Sequence, residues 1–502
     1  MTRKYGLYIN GHYVHPQTWD RVPNALEPTE SLGEVGVFRK DQDDPEIWEA
    51  CLEGAWQSHL QIRDMGFFPP EERLSFLRRL RSRLEDQKEN FAQLILQEVG
   101  KPISLARIEV NRALDTLSAT IREAATLLGK EHPLPLSNQA PWKDFEGLWI
   151  REPRGPLLAI TPFNFPLNLV LHKVAPALAV GCPVILKASD KARLSALCLA
   201  DHCHAEGLPA GLLNVFHCDN LTTQALIQDS RIRHVSFTGS AKVGWALRQS
   251  SHKAFFLELG GAAPAFVDQD VNLSRVAQTL ATSAFAYSGQ TCISTQSIWI
   301  HEKVYDAFLK AFETAMNALP CGLPSREDVL CGPVISAEAQ ERIQKLESSL
   351  LQEGAQITRY SANVLESGGI HPLLFEKTGW KKHFQSPAFV EGLSIHSRFL
   401  REEAFAPLVA LQKVSSFEDF VGWSNTLDHR LQTAVFSSNK ATLERATRAL
   451  DFGGVILNES PSWRFDAMPY GGRGLAGCGS EGPRFAMEDY MDRKSILKRI
   501  IF

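Results

Sequence analysis

A chain of 502 residues is too long for one hydrophobic core, and with 44% hydrophobic residues it is expected to fold by burial into two or three domains. Its net charge of −4, with both signs interspersed, gives no basic patch for nucleic acid or an anionic membrane, and no apolar stretch reaches spanning length. Nine cysteines, an odd number without framework spacing, read as reduced thiols, so a soluble protein of the cytoplasm is expected.

In chain order, Tyr8 to Val14 reads as a hairpin around Asn10-Gly11. From Pro69-Pro70-Glu71-Glu72, the residues Leu74, Leu77, Leu80, Leu84, Phe91, Leu94 and Ile95 keep helical spacing up to Gly100-Lys101-Pro102, and a second helix runs from Ser104 to Leu128. Residues 131–152 are polar and proline-bearing, then strand-like at Gly147 to Arg151. That is too long for a plain connection, so the stretch is either a functional excursion or a packing arm for another subunit. Short apolar runs then alternate with helical ones. Leu157–Ile160, Pro183–Lys187, Leu213–Phe216, Ile232–Phe237 and Phe255–Leu259 are the expected strands of a parallel sheet covered by helices. Cys198, His202, Cys203 and His204 cluster on one helix, but no second ligand pair follows at zinc spacing, so no metal is expected.

Ligands of such sheets bind beyond the carboxyl ends of the strands. The residues there are Thr161-Pro162-Phe163-Asn164-Phe165, Lys187-Ala188-Ser189-Asp190, Gly239-Ser240 with Gly244, and Gly260-Gly261. Gly239-Ser240 opening a helix either brings backbone N–H groups to a phosphate or is ordinary turn chemistry. Lys187 and Asp190 either hold ribose hydroxyls or form a solvated loop. Further on, Cys292 in Ser288-Gly289-Gln290-Thr291-Cys292-Ile293-Ser294 reads as a nucleophile between small and polar neighbours, against the plainer reading of a buried structural thiol. A second α/β pattern follows: strands at Ser297–His301, Gln432–Ser437 and Gly454–Asn458, and helices at Val304–Asn317, Ala337–Leu351 and Lys440–Leu450. A boundary is expected near Leu259, with the second domain ending about Ser460.

Seven motifs in one order resemble the aldehyde dehydrogenase superfamily, with its lactaldehyde and non-phosphorylating glyceraldehyde-3-phosphate dehydrogenase-like branch. They are Pro162-Phe163-Asn164-Phe165-Pro166, Lys187-Ala188-Ser189, Phe237-Thr238-Gly239-Ser240, Glu258-Leu259-Gly260-Gly261, Gly289-Gln290-Thr291-Cys292, Glu402-Glu403-Ala404-Phe405-Ala406-Pro407, and Pro469-Tyr470-Gly471-Gly472. The resemblance implies an α/β fold with a Rossmann-like parallel-sheet cofactor domain (1–130 and 153–258), an α/β catalytic domain (259–460) and a small β oligomerisation arm (131–152 and 484–502). Residues 461–483 are implied as the substrate-tunnel and closing loop. A homodimer or homotetramer is implied.

The same resemblance implies that Cys292 attacks an aldehyde and that Asn164 holds the oxyanion. Glu258 would activate the water that hydrolyses the thioester; Lys173 and Glu481 either relay its proton or form a structural ion pair. Thr161, Pro162, Phe163, Lys187, Ser189, Asp190, Gly239, Ser240, Gly244, Leu259, Gly260, Glu403 and Phe405 are implied as cofactor contacts. Asp190 favours NAD, with NADP possible beside Lys187 and Ser189. Arg112, Phe165, Thr291, Arg464 and Tyr470 are the implied substrate contacts. Two arginine forks suit a small hydroxylated or anionic aldehyde, unless both arginines form ion pairs between loops. Three departures stand out: His217-Cys218-Asp219-Asn220 replaces the family's Pro-Gly-x-Gly, Ala188 a proline, and Ala406 a glycine. The alternatives are a non-catalytic scaffold, which should have lost Cys292, Glu258 or Asn164, and a cysteine-dependent esterase, which needs no cofactor reduction.

Overall fold

The computed structural model describes residues 3–136, 142–359 and 382–500, so residues 137–141 and 501–502 of the expected arm lie outside it. An eight-stranded sheet has the order Gly477–Cys478, Ala254–Leu259, His234–Gly239, Leu157–Ile160, Val184–Lys187, Leu213–Val215, Leu7–Ile9, His12–Val14. Its five central strands are parallel, and their near-continuous apolar runs follow from helices covering both faces. At one edge lies the N-terminal hairpin, where Asn10 (φ 49°) and Gly11 (φ 83°) form the left-handed two-residue turn between Ile9 and His12. At the other edge, Gly477 and Cys478 return from near the C-terminus to pair antiparallel with Glu258 and Leu257.

A seven-stranded sheet, parallel except at one edge, carries the second half of the chain. Four of its strands, Pro264–Val267, Gln356–Arg359, Ala388–Glu391 and Leu408–Val414, were not expected: the first opens on a proline, the second is mostly polar and exposed, and the last two run into Glu391 and Gln412-Lys413. The helical spacing from Pro69 to Gly100 belongs to two helices, Pro70–Asp86 and Lys88–Val99, broken at Gln87 (φ −105°, ψ 12°). A further helix, Pro45–Met65, carries start and stop signals that went unread: Asp44 caps the Glu46 N–H, Pro45 opens the helix, and Gly66 closes it at φ 64°. In the third sheet, Phe145–Pro153 and Met491–Arg499 pair antiparallel along nine residues, with Ile496 and Leu497 exposed. The Cys198–His204 cluster is engaged otherwise, with His204 Nδ1 3.2 Å from the Tyr8 hydroxyl and His202 packed on Phe91.

The pairing at Gly477 sits directly against the strand that carries Glu258. Gly477 has φ 151°, and a Cβ there would overlap the Leu257 carbonyl. Gly477→Ala is expected to cost about 1–3 kcal/mol, read as a lower midpoint of thermal unfolding.

Candidate active site

Between the two large sheets lies a cavity of about 610 Å³ whose wall includes Cys292, Asn164, Glu258, Arg112, Arg464, Tyr470 and Glu481. The loop that delivers Cys292 is strained. After the helix Leu273–Phe285, Tyr287 (φ 51°), Ser288 (φ 58°) and Gly289 (φ 67°) are left-handed in succession, a conformation costing about 1–3 kcal/mol for each non-glycine residue. Surrounding bonds hold it: Tyr287 N–H donates to Leu330 O at 2.8 Å, Ser288 Oγ to Gly332 O at 2.6 Å, and Gln290 Oε1 accepts from Ile335 N–H at 2.8 Å. The half-buried Cys292 Sγ then lies 2.8 Å from the Tyr470 hydroxyl. Burial pushes its thiol up to about 12, with Glu403 and Glu481 adding to the rise and Tyr470 and Arg464 opposing it.

Asn164 faces Cys292 from the loop after Leu157–Ile160. Its Nδ2 gives one N–H to Gln290 O at 2.9 Å, which leaves the second N–H free. A buried ion pair missed in the sequence fixes this loop. Lys101 Nζ donates to Glu109 Oε2 at 2.6 Å and to Asn164 O at 2.7 Å, and lies 3.6 Å over the Phe165 ring. Glu109 Oε1 accepts from the N–H groups of Leu167 and Asn168 at 2.9 and 3.2 Å. Burial lowers Lys101 to about 8 despite Glu109.

Glu258 is buried, and neither carboxyl oxygen has a hydrogen-bond partner among the described residues. Burial first, and then the charge of Glu481, raise it well above the carboxylate range. Glu481 is the opposite case. Burial disfavours its charge, but Lys173, His172 and Arg464 outweigh that and hold it at about 2. Lys173 Nζ and Thr238 Oγ1 both donate to Glu481 Oε1 at 3.1 Å, and Arg464 to Oε2 at 3.3 Å. Arg464 stacks on Tyr470 at 3.7 Å, and its buried Nε has no partner among the described residues. The two expected substrate arginines therefore differ. Arg112 is bound by both oxygens of Asp466, at 2.8 and 3.1 Å, and Asp466 also takes Asn168 Nδ2 at 3.0 Å and His172 Nε2 at 2.9 Å. Against its burial, His172 and Arg112 hold Asp466 well below the usual carboxylate range. Asp466 and His172 went unnoticed because their partners are hundreds of residues away.

Pro162, Phe163, Gly239, Ser240, Leu259, Gly260, Glu403 and Phe405 share this cavity with Phe165 and Thr291. Thr161, Lys187, Ser189, Asp190 and Gly244 are not on its wall. The first four continue along the strand ends, where Lys187 O accepts from Thr161 N–H at 3.2 Å and Lys187 meets Asp190 at 3.1 Å. These residues fit a nicotinamide dinucleotide. Buried Thr161 Oγ1 is unpartnered, and Ser240 makes no side-chain cap, so the first-turn amides of Ala241–Gln249 stay open. A Cβ on Gly244 would come within 2.6 Å of Leu259, so that helix lies close on the sheet; a Cβ on Gly260 would overlap the Glu403 carboxyl. Burial raises Glu403 to about 7, opposed by Arg342, which also donates to the carbonyls of Ala404 and Phe405 at 2.6 and 2.9 Å. In the departure segment, Asp219 caps the helix Asn220–Gln228 through Thr222 N–H at 2.7 Å, and both ring nitrogens of buried His217 lack partners.

Because Lys101 would be left a buried, uncompensated charge, Glu109→Ala is expected to cost about 3–5 kcal/mol, measured as earlier urea unfolding, whereas Glu109→Gln should cost less.

Three comparisons set this geometry among known proteins. The family model described as "Aldehyde dehydrogenase family" matches residues 39–496. Aspartate-semialdehyde dehydrogenase 1 of Pseudomonas canavaninivorans is 34% identical over 86% of this chain and 88% of its own length. The 3-sulfolactaldehyde dehydrogenase of Priestia megaterium is 30% identical over 99% and 98%. The crystal structure of aldehyde dehydrogenase 21 from Physcomitrella patens in complex with the reaction product succinate superposes with a TM-score of 0.89 at 30% identity, covering 100% of this chain and 99% of that one.

Proposed function

The chain belongs to the aldehyde dehydrogenase family, and from that premise we propose that it oxidises a small anionic aldehyde to the free carboxylic acid, preferring NAD over NADP. One observation carries the substrate reading: Arg464, on the cavity wall and paired with Glu481, has an Nε without a partner among the described residues and lies over the phenol ring whose hydroxyl is 2.8 Å from the Cys292 sulfur. That N–H and the cation behind it suit a carboxylate, phosphate or sulfonate close to the aldehyde carbon. Thr291, where a further arginine would favour phosphate, leaves the smaller anions as the better fit. The names of the relatives are mixed: the aspartate-semialdehyde and 3-sulfolactaldehyde substrates carry an anion, whereas the lactaldehyde of other relatives is an uncharged hydroxyaldehyde. Arg112, held by Asp466, supports the loop instead of meeting the substrate.

In this reading Cys292 Sγ attacks the aldehyde carbon, and the free Asn164 N–H with the Cys292 backbone N–H receives the oxyanion. A bound nicotinamide would supply hydride acceptance, by which the adduct on Cys292 would become a thioester; Glu403 and Phe405 would hold its ribose and ring. Glu258, with no protein donor on its oxygens, takes a proton from the water that hydrolyses the thioester. Glu481, held at about 2, stays charged at neutral pH, so it acts by raising Glu258 and not by relaying protons. Asp190 at the ribose end would accept from a 2′-hydroxyl and repel a 2′-phosphate. Nine free thiols fit a reducing cytoplasm, and the exposed outer strand Met491–Arg499 would assemble the chain with further copies of itself.

Arg464→Ala is expected to raise KM for a short anionic aldehyde about 10- to 100-fold while changing KM for propanal little; equal effects reject the anionic substrate. Cys292→Ala should abolish the reduced-nicotinamide absorbance change, and Glu258→Gln should keep a single burst of it without turnover. Turnover without that absorbance change would favour the esterase reading. Because Glu258 titrates high and works deprotonated, kcat should rise with pH well past the carboxylate range. A kcat already level at about pH 5 contradicts that role.

A further inference from the structure

We infer that Tyr470 is a catalytic residue whose phenol donates a hydrogen bond to the Cys292 sulfur whenever that sulfur carries negative charge, first during attack and again when it leaves. The inference rests on the reading of Cys292 as the nucleophile. Its basis is placement: the hydroxyl lies 2.8 Å from Sγ, and no other side chain among the described residues is hydrogen-bonded to that sulfur. Tyr470 is rigidly held. Its N–H donates to Glu481 O at 3.0 Å and its carbonyl accepts from Glu481 N–H at 2.6 Å, and the buried ring lies under Arg464 with Ile293, Leu431 and Ala476 around it. A cation on the ring face draws electron density from the phenol and makes it a better donor.

The site otherwise disfavours a thiolate. Glu403, Glu481 and Glu258 are the acidic groups that face it, and Arg464 is the cation. His172, the imidazole of this region, is bound to Asp466. Burial keeps the phenol protonated, so Tyr470 donates and does not act as a base. The balance follows. In attack, the S–H proton passes to the Glu258 carboxylate or to water, the S–C bond forms, and the carbonyl π pair moves to oxygen. In hydrolysis, water gives its proton to Glu258, the new O–C bond forms, and the C–S pair returns to sulfur, where the phenol O–H meets it. Tyr470 keeps its proton throughout. A phenylalanine would fill the same space and supply neither step.

The test is the pH dependence of Cys292 alkylation by iodoacetamide, followed at its own peptide by mass spectrometry in the full-length protein. Tyr470→Phe is expected to move the alkylation profile up by about one to two pH units, a 10- to 100-fold slower alkylation near neutrality. Replacement of Tyr470 by 3-fluorotyrosine, a stronger donor, should move it down. In single turnover, the Tyr470→Phe acyl-enzyme should hydrolyse at least about tenfold slower than the unsubstituted one at the same pH. An unmoved profile in a variant with unchanged melting temperature overturns the inference. Should Tyr470→Phe fail to fold, an unmoved fluorotyrosine profile overturns it alone. A shifted profile in a protein that oxidises no aldehyde supports the role of Tyr470 and defeats the functional reading instead.

Discussion

Glu481 keeps its charge in the interior, 4% exposed, because Lys173, Thr238 and Arg464 reach its carboxylate from three separate segments of chain. The rest of the cavity is arranged around that charge. It adds to the burial that raises Glu258 well above the carboxylate range, and it pairs with Arg464, which lies over the Tyr470 ring. Through its backbone it also pins Tyr470 beside the sulfur. Without it, Lys173 and Arg464 would be two buried cations without a common partner, a far costlier arrangement than the one observed.

A second buried carboxylate divides the labour between the arginines. Asp466 gathers Arg112, Asn168 and His172, so the loop 461–468 is tied to the helices Ile103–Leu127 and Asn168–Val180 and its conformation is set before any substrate arrives. Arg464, two residues away, is held in place by its pairing with Glu481, and its Nε has no hydrogen-bond partner among the described residues. Rigidity of this kind lets a single cation discriminate, since no binding energy is lost to ordering the loop.

Much of the site was legible because its chemistry is local. Cys292 among small residues, Glu258 before Leu259-Gly260-Gly261, and Asn164 after an apolar strand are all patterns of a few residues. The parallel sheet was legible for the same reason, as apolar runs bounded by breakers. What stayed hidden depends on distance along the chain. Lys101 and Glu109 looked like a helix stop and a helix surface, and only the folded chain brings Lys101 to the carbonyl of Asn164. The contact between Tyr470 and Cys292 spans 178 residues, and no periodicity records it. The strands Pro264–Val267 and Leu408–Val414 were missed because a proline opens the first and Gln412-Lys413 interrupt the apolar run of the second.

The return of Gly477–Cys478 to the edge of the first sheet has a consequence for synthesis. The strand carrying Glu258 gains its outer neighbour only after more than two hundred further residues have been made, and Tyr470, Glu481 and the long outer strand at 491–499 arrive in the same final stretch. A nascent chain on the ribosome can therefore bury most of both large sheets while its nucleophile still lacks one wall. Such a chain holds an ordinary, open cysteine. Tyr470 and Glu481 are made well after Cys292 and Glu258, so a chain that stops before them lacks the phenol beside the sulfur and the carboxylate beside Glu258.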